Sequence, residues 1–280
     1  MPTLVSIIIP TKDSAKTLDA CLKSIKSQSY PNIEIIVVDN LSKDNTRRIA
    51  QKFTPYIYSK GPERSAQRNY GATKSHGKFI CMIDSDMVLT PNVIQTCVNT
   101  LEKNKDLCAV IIPEKSFGIG FWATCKTLEK NIYLNTDWIE APRMFTKKAF
   151  IKIKGYNEKM VSGEDWEITN RIKKIGKISR IKEMILHNEG ALSLIGTMRK
   201  KYYYGAKMAE YSEKKLEIPI SKKQYSLTKR YQLFTQNKQK LLKNPFIGIG
   251  LVFMKFAEFT SAWAGYTIYR TIKKLHEKHN

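Results

Sequence analysis

Gly77-Lys78-Phe79-Ile80-Cys81-Met82-Ile83-Asp84-Ser85-Asp86-Met87 is an apolar run that stops abruptly at two carboxylates one residue apart. The segment Phe79–Ile83 reads as a buried strand, and Asp84-Ser85-Asp86 as the polar lip at its carboxyl end. In an open α/β sheet that end is where ligands bind. Two acidic side chains there suit a hard divalent cation that also holds phosphate oxygens. Standing alone, Asp-x-Asp is more often a turn with solvated carboxylates, so the flanking sequence has to decide.

Upstream, the same pattern occurs twice more. Leu4–Ile9 is a β-branched run stopped by Pro10, then Thr11-Lys12-Asp13-Ser14, then Leu18, Cys21, Leu22 and Ile25 at helical spacing. Ile33–Val38 is a second buried strand ending in Asp39-Asn40, with Ser42–Thr46 opening another helix. Repeated βα units predict a parallel sheet with right-handed crossovers, and three polar loops then share one sheet edge. Between these units, Tyr56–Ser59 reads as a short strand and Glu63–Ala72 as a helix carrying Arg64, Arg68 and Asn69.

Downstream, the pattern predicts a helix over Asn92–Leu101, a strand at Ala109–Ile112 and an amphipathic helix over Gly118–Tyr133. Trp138–Phe145 is expected to be extended, Lys147–Ile153 helical, and Lys177–Leu186 a strand leading to the polar loop His187–Gly190. Gly163-Glu164-Asp165-Trp166 begins a helix whose Ile168, Ile172 and Ile175 share a face, ending at Gly176. From about Thr197 the character changes: Arg199-Lys200-Lys201 precedes Tyr202-Tyr203-Tyr204, and a Lys/Gln-rich stretch fills Tyr225–Lys243. Residues 1–196 are therefore expected to form an α/β domain that carries the acidic lip, and 197–280 a basic, aromatic helical region that associates with membranes. Within it, Pro245–Tyr269 is apolar enough to span a bilayer, but Lys255 and Glu258 sit mid-segment. That favours a helix lying in the interface or re-entering it, over a true span or a helix packed on the soluble domain.

The 280 residues carry 48 Lys+Arg against 25 Asp+Glu, a net +23 that calls for an anionic partner. Nucleic acid is not expected, because the basic residues are dispersed and no zinc-finger, RNP-like or basic-zipper pattern occurs. An anionic membrane surface and phosphorylated substrates remain. The cysteines Cys21, Cys81, Cys97, Cys108 and Cys125 include no Cys-x-x-Cys pair, which predicts reduced core residues and a reducing compartment. A strand follows the first residues directly, so no signal peptide is expected.

Taken in order, Val5–Thr11, Ile36–Asn40 with Asp44 and Thr46, Arg68-Asn69-x-Gly71, Asp84-Ser85-Asp86, Gly155–Glu158, Gly163-Glu164-Asp165 and His187 resemble the family-2 glycosyltransferases. One departure is Asn40, where many members carry a second Asp. The resemblance implies the GT-A fold over about residues 4–190, an inverting transfer from a nucleotide sugar, and a divalent cation, Mn2+ or Mg2+. It implies that Pro10, Thr11, Asp13 and Asp39 line the nucleotide pocket, although Asp39 has the alternative of capping a helix. Arg68 would meet a diphosphate oxygen, Asp84 and Ser85 the sugar nucleotide, and Asp86 the cation, with His187 completing the metal shell. Asp165, at a helix start where the dipole favours a carboxylate, is the expected catalytic base, with Glu164 orienting acceptor or cation.

Arg143, Arg199 and Trp122 are candidates for diphosphate or acceptor contacts, with Trp138 on the same side; for both Trp residues core packing is the competing reading. The donor is expected to be GDP-mannose or a UDP-sugar, and the acceptor a hydroxyl of a lipid-linked glycan or glycolipid at the cytoplasmic membrane face. A polyprenyl phosphate is the alternative acceptor, but it arrives already ionised and needs no base, so Asp165 favours a hydroxyl. A non-catalytic nucleotide-sugar or membrane-surface binding protein would have no use for Asp86 and Asp165 together.

Overall fold

The computed structural model describes residues 1–213 and 226–279, so the start of the Lys/Gln-rich stretch at Tyr225 lies outside the described residues. They divide into two units, one comprising Met1–Lys115, Leu134–Lys159 and Gly163–Asn188, the other Ser116–Tyr133, Met160–Ser162 and Glu189–Asn280.

The first unit opens with β1 (Val5–Thr11), α1 (Leu18–Lys26), β2 (Ile33–Asp39), α2 (Thr46–Ala50), β3 (Ile57–Ser59), α3 (Arg64–Lys74) and β4 (Phe79–Met82). After β5 (Met87–Leu89) come α4 (Val93–Lys103), β6 (Leu107–Ile111), β8 (Pro142–Thr146), α6 (Lys147–Lys152), α7 (Glu164–Lys173), β9 (Lys177–Arg180) and β10 (Ile185–Asn188). Between β6 and β8 the chain forms β7 (Glu114–Phe117), within which the unit boundary falls, and α5 (Phe121–Tyr133) of the second unit. Among the described residues the main sheet has the order β3-β2-β1-β4-β8-β6-β9.

Strand β1 is buried along its whole length, because both faces of the sheet are covered. The two-residue period sends Ile7 and Ile9 into a core with Leu22, Val37, Cys81 and Val98, and Ile8 into another with Val38, Met82, Phe145 and Ile168. A one-residue slip would exchange those sets, so the register is fixed by burial of about 1.5–3 kcal/mol per side chain. In that register Thr11 lies beside Asp39 and Asp39 beside Ser59, which brings the polar ends of the first three strands together.

Most elements follow the sequence pattern, with informative exceptions. Strand β8 runs antiparallel between β4 and β6, pairing Cys81 with Met144, so its amino end lies beside the carboxyl end of β4. The expected extended segment Trp138–Phe145 is a strand only from Pro142, because residues 136–140 turn, with the amides of Ile139 and Glu140 donating to the Thr136 carbonyl. The expected strand Lys177–Leu186 is two strands in two sheets. Its first half pairs with β6, whereas β10 joins a small sheet of order β5-β10-β7 and sets His187 opposite Met87.

The second unit contains α5, α8 (Leu194–Glu213), α9 (Leu227–Gln236), α10 (Lys238–Leu242) and α11 (Pro245–His279). Helix α11 lies against α5 and α8. Its crossing with α8 is backbone on backbone. A Cβ on Gly205 would overlap the Ala262 carbonyl oxygen, and one on Gly265 would overlap the Tyr202 carbonyl oxygen. The two mid-helix charges face inward: Lys255 Nζ meets Glu129 at 2.8 Å and Glu258 at 2.5 Å, and Lys126 Nζ meets Glu258 at 3.0 Å and Glu129 at 2.8 Å. Two cations and two anions thus neutralise one another inside the unit. All five cysteines are unpaired thiols, four of them buried.

Candidate active site

The loops after β1 and β2 are tied together residue by residue. Thr11 Oγ1 donates to Asp39 Oδ1 at 2.8 Å, and the Ser42 amide and hydroxyl donate to the same carboxylate at 3.0 and 2.5 Å. Asp39 is fully buried. Asp13, at φ +46°, accepts from the Lys43 amide at 2.7 Å while its own amide donates to Ser42 Oγ at 2.8 Å. Asp44 accepts from the Ala15 and Thr46 amides at 3.0 and 2.9 Å. Thr11, Asp13 and Asp39 therefore belong to one stitched pair of strand ends and loops, with Pro10 just before it in β1, and Ser85 Oγ, donating to Ser14 Oγ at 2.9 Å, joins it to Asp-Ser-Asp.

Around Asp84 the side chains form a charged network. Arg68 is fully buried on α3, its Nη2 donating to Asp84 Oδ1 at 2.7 Å and its Nη1 to Asp165 Oδ1 at 3.1 Å. One turn earlier, Arg64 Nε donates to Glu164 Oε1 at 2.6 Å, and Tyr156 lays its ring 5.1 Å from the Arg68 guanidinium. Arg143 arrives from the amino end of β8, placing Nη1 3.1 Å from Asp84 Oδ2 and Nε 2.8 Å from Glu114 Oε1. Burial by itself would raise Asp84, but Arg68 and Arg143 outweigh it and hold the carboxyl well below the usual range. Asp84 is therefore an anion at any working pH.

Two motif glycines explain how α3 reaches this position. A Cβ on Gly71 would lie 2.5 Å from Ile8 Cγ2, so only Gly lets the helix sit this close to the sheet. Gly155, at φ +63°, leaves no room for a Cβ beside Asn69 Oδ1, which accepts from the Tyr156 amide at 2.8 Å while Nδ2 donates to the Tyr156 carbonyl at 2.9 Å.

Glu164 and Asp165 open α7 behind Gly163 in the left-handed region, and they differ in access: the side chain is 1% exposed for Glu164 and 30% for Asp165. Burial and the neighbouring Asp165 push Glu164 up, partly countered by Arg64 and Arg68. On the other side of Asp84, Asp86 Oδ2 faces His187 Nε2 at 3.4 Å, and His187 Nδ1 faces Glu114 Oε2 at 3.5 Å. Burial works against a charge on His187, but the two carboxylates prevail and push its pKa up to about 10.

A divalent cation fits this pair if it displaces the proton that the two carboxylates hold on His187. Asp86 Oδ1 is buried with no hydrogen-bond partner, and a carboxylate oxygen beside an imidazole nitrogen is a competent Mn2+ or Mg2+ donor set. Among the described residues no cluster of three or more His, Cys, Asp or Glu side chains encloses a metal, so positions would remain for phosphate oxygens and water.

Of the other sequence candidates, Trp138 is half-buried in the turn before β8. Arg199 is exposed on α8, and Trp122 on α5 packs edge-on against Phe121 at 4.8 Å; both belong to the second unit. Glu114, Arg64 and Tyr156 join the network without having been singled out as site residues. Glu114 had a usable signal: it follows the apolar run Ala109–Ile112 and Pro113, just as Asp84 follows its own.

A mainly parallel sheet with this acidic lip and a carboxylate-led helix facing it is the GT-A fold of nucleotide-sugar-dependent enzymes. The solved structures agree: S. aureus TarS 1–349 in complex with UDP-GlcNAc superposes with a TM-score of 0.53 at 16% identity, covering 97% of this chain and 92% of that one. The mannosyltransferase PcManGT from Pyrobaculum calidifontis, in complex with GDP-Man and Mn2+, gives 0.56 at 15% identity, with 99% and 88% covered. The sequence model for glycosyl transferase family 2 matches residues 6–160, and the chain belongs to that family as a glycosyltransferase. Among curated relatives, the chondroitin synthase of Escherichia coli is 24% identical over 201 residues, 66% of this chain but 29% of the relative. The chain thus spans less than a third of that relative's length.

Proposed function

We propose that the chain transfers a hexose from a nucleoside-diphosphate sugar to an acceptor hydroxyl, with inversion, using Asp165 as general base. The supporting observation is the pairing of Asp165 with Asp84 through the single buried guanidinium of Arg68. In this reading Asp84 marks the donor side, and Asp165, the more accessible of the two carboxylates that open α7, meets the acceptor. Asp165 takes the hydroxyl proton as that oxygen attacks the anomeric carbon, and the bond to the diphosphate breaks on the opposite face. Glu164, buried and held by Arg64, would keep the start of α7 in place, in contrast to the direct orienting of acceptor or cation expected for it. Asp86 and His187 would hold a divalent cation, whose chemistry is to neutralise charge on the departing diphosphate. The nucleotide would lie over the loop pair of Pro10, Thr11, Asp13 and Asp39, with Ser85 beneath the ribose and sugar. GDP-mannose is the donor put first and a UDP-sugar second, since structural neighbours of this fold hold one or the other.

The acceptor is placed on a lipid-linked glycan or glycolipid, at the cytoplasmic face of a membrane. Helix α11 presents Phe246, Ile249, Phe253, Phe256 and Trp263 outward, all more than half exposed, while its charged pair Lys255 and Glu258 points inward. Next to it in the chain, Lys238, Lys240 and Lys243 are exposed. An apolar face beside cations suits an anionic lipid surface, with the helix lying along it rather than crossing it.

A panel of GDP- and UDP-sugars, with Mn2+ or Mg2+ and a membrane lipid extract as acceptor source, tests this reading. Nucleoside diphosphate and glycosylated lipid should appear together from one donor. Asp165→Asn should lower transfer by about 10²–10⁴-fold while donor affinity stays near that of the wild type. Turnover retained in that variant would remove Asp165 from the role, and silence of every donor would sink the enzyme reading.

A further inference from the structure

Glu114 stands between the two halves of the site. Its Oε1 accepts from Arg143 Nε at 2.8 Å and lies 2.7 Å from Nη2, while its Oε2 lies 3.5 Å from His187 Nδ1. Arg143 Nη1 continues to Asp84 Oδ2 at 3.1 Å, and His187 Nε2 continues to Asp86 Oδ2 at 3.4 Å. The two aspartates of one tripeptide are thus joined through space by Arg143, Glu114 and His187.

We propose that Glu114 is a positioning residue for the cation site: it orients the His187 imidazole toward Asp86 and couples that orientation to Arg143 and Asp84. The inference rests on reading Asp86 and His187 as the cation-holding pair. Several observations carry it. The imidazole presents Nε2 to Asp86, so only Nδ1 is available to fix the ring, and the nearest carboxylate oxygen to that buried nitrogen is Glu114 Oε2, short of hydrogen-bond distance by a few tenths of an ångström. A carboxylate behind a ligating histidine selects the tautomer and strengthens the ligand nitrogen. Glu114 is itself held on two nitrogens by Arg143 through Oε1, so Oε2 is directed rather than freely rotating. Strand topology supplies the placement. Residues of β7 and β10 lie in the same small sheet, and the Ile185 amide donates to the Pro113 carbonyl at 2.9 Å, which sets Glu114 beside His187.

The test is titration of the full chain with Mn2+ alone, following free Mn2+ by its electron paramagnetic resonance signal, for wild type, Glu114→Gln, His187→Ala and the double variant. Glu114→Gln should weaken Mn2+ binding about 10–100-fold, and should add little once His187 is gone. Thermal unfolding in EDTA checks that each variant is folded. If Glu114→Gln does not fold, Glu114→Asp, which keeps the charge but withdraws it by one methylene, should weaken Mn2+ in the same His187-dependent way. Wild-type-like Mn2+ affinity in the folded Glu114 variant overturns the proposal, as does an equal loss with and without His187. A wild-type chain that binds no Mn2+ and transfers sugar in EDTA would overturn the cation site itself, and this role with it.

Discussion

Arg68 shows how much one side chain organises. The sequence identified it as a helix-borne cation meant for an anion, and a diphosphate oxygen was the expected partner. The structure sets it on Asp84 and Asp165, carboxylates 16 and 97 residues away. Such pairings are not readable from spacing, because they depend on where α3 crosses the sheet. Glu34 is a smaller case of the same kind. Its carboxylate accepts from the Ser6 hydroxyl, the His76 amide and the Gly77 amide at 3.1 Å, with the His76 ring alongside. Burial works against ionisation, but these donors outweigh it and lower the pKa of Glu34 below its ordinary 4.5. A carboxylate depressed on folding adds stability above the unfolded pKa and loses it as pH falls through the folded one. Glu34→Gln should therefore cost about 1–2 kcal/mol near pH 7, and the gap to wild type should close progressively below about pH 4.5 in urea titrations. A gap that stays constant down to pH 3 would mean that the ionised form does not matter.

At the level of elements, the repeating βα units, the helix starts and the acidic lip were legible, because a two-residue or 3.6-residue period needs no partner to be recognised. The antiparallel insertion of β8 was not, since an apolar run carries no sign of direction. That reversal is what brings Arg143 to Asp84, and so the electrostatics of the site lay beyond the pattern. The strands β5 and β7 escaped for another reason: Glu114-Lys115-Ser116-Phe117 contains no apolar run, and Met87–Leu89 follows directly on the acidic lip. The crossing of α8 on α11 gives a contest of known terms. Replacing Gly205 with Ala favours the helix intrinsically by about 1 kcal/mol. The new Cβ, however, would overlap the backbone oxygen of Ala262, which cannot rotate away. Overpacking of about 1–3 kcal/mol should win, lowering the thermal midpoint. A stabilised Gly205→Ala chain would show that the two helices separate easily.

For the molecule as a whole, the surplus of 23 positive charges leads to the expectation of an anionic partner but not to the surface that would meet it. The same limit applied to Gly118–Tyr133, whose periodicity predicted a buried face without saying that α11 would cover it. Vesicle sedimentation tests the proposed lipid contact. The full chain should pellet with phosphatidylglycerol-containing vesicles and much less with neutral ones, and binding should weaken between 50 and 300 mM salt, roughly as the screening length shortens. The pair Phe253→Ser and Phe256→Ser should reduce pelleting at least about tenfold. Equal pelleting with neutral vesicles, or no effect of the serines, would discard this face as the membrane contact.

The inward pairing of Lys255 and Glu258 also bears on how the protein can be prepared. An apolar 35-residue helix invites removal when a chain precipitates. Cutting before Pro245 would leave Lys126 and Glu129 with only each other, without Glu258 and Lys255, and strip the cover from Cys125, whose Sγ donates to the Ile247 carbonyl at 3.6 Å. The shortened chain would trade one solubility problem for a misfolded remnant, whereas replacing the outward Phe246, Ile249, Phe253 and Phe256 with polar residues leaves that interior whole.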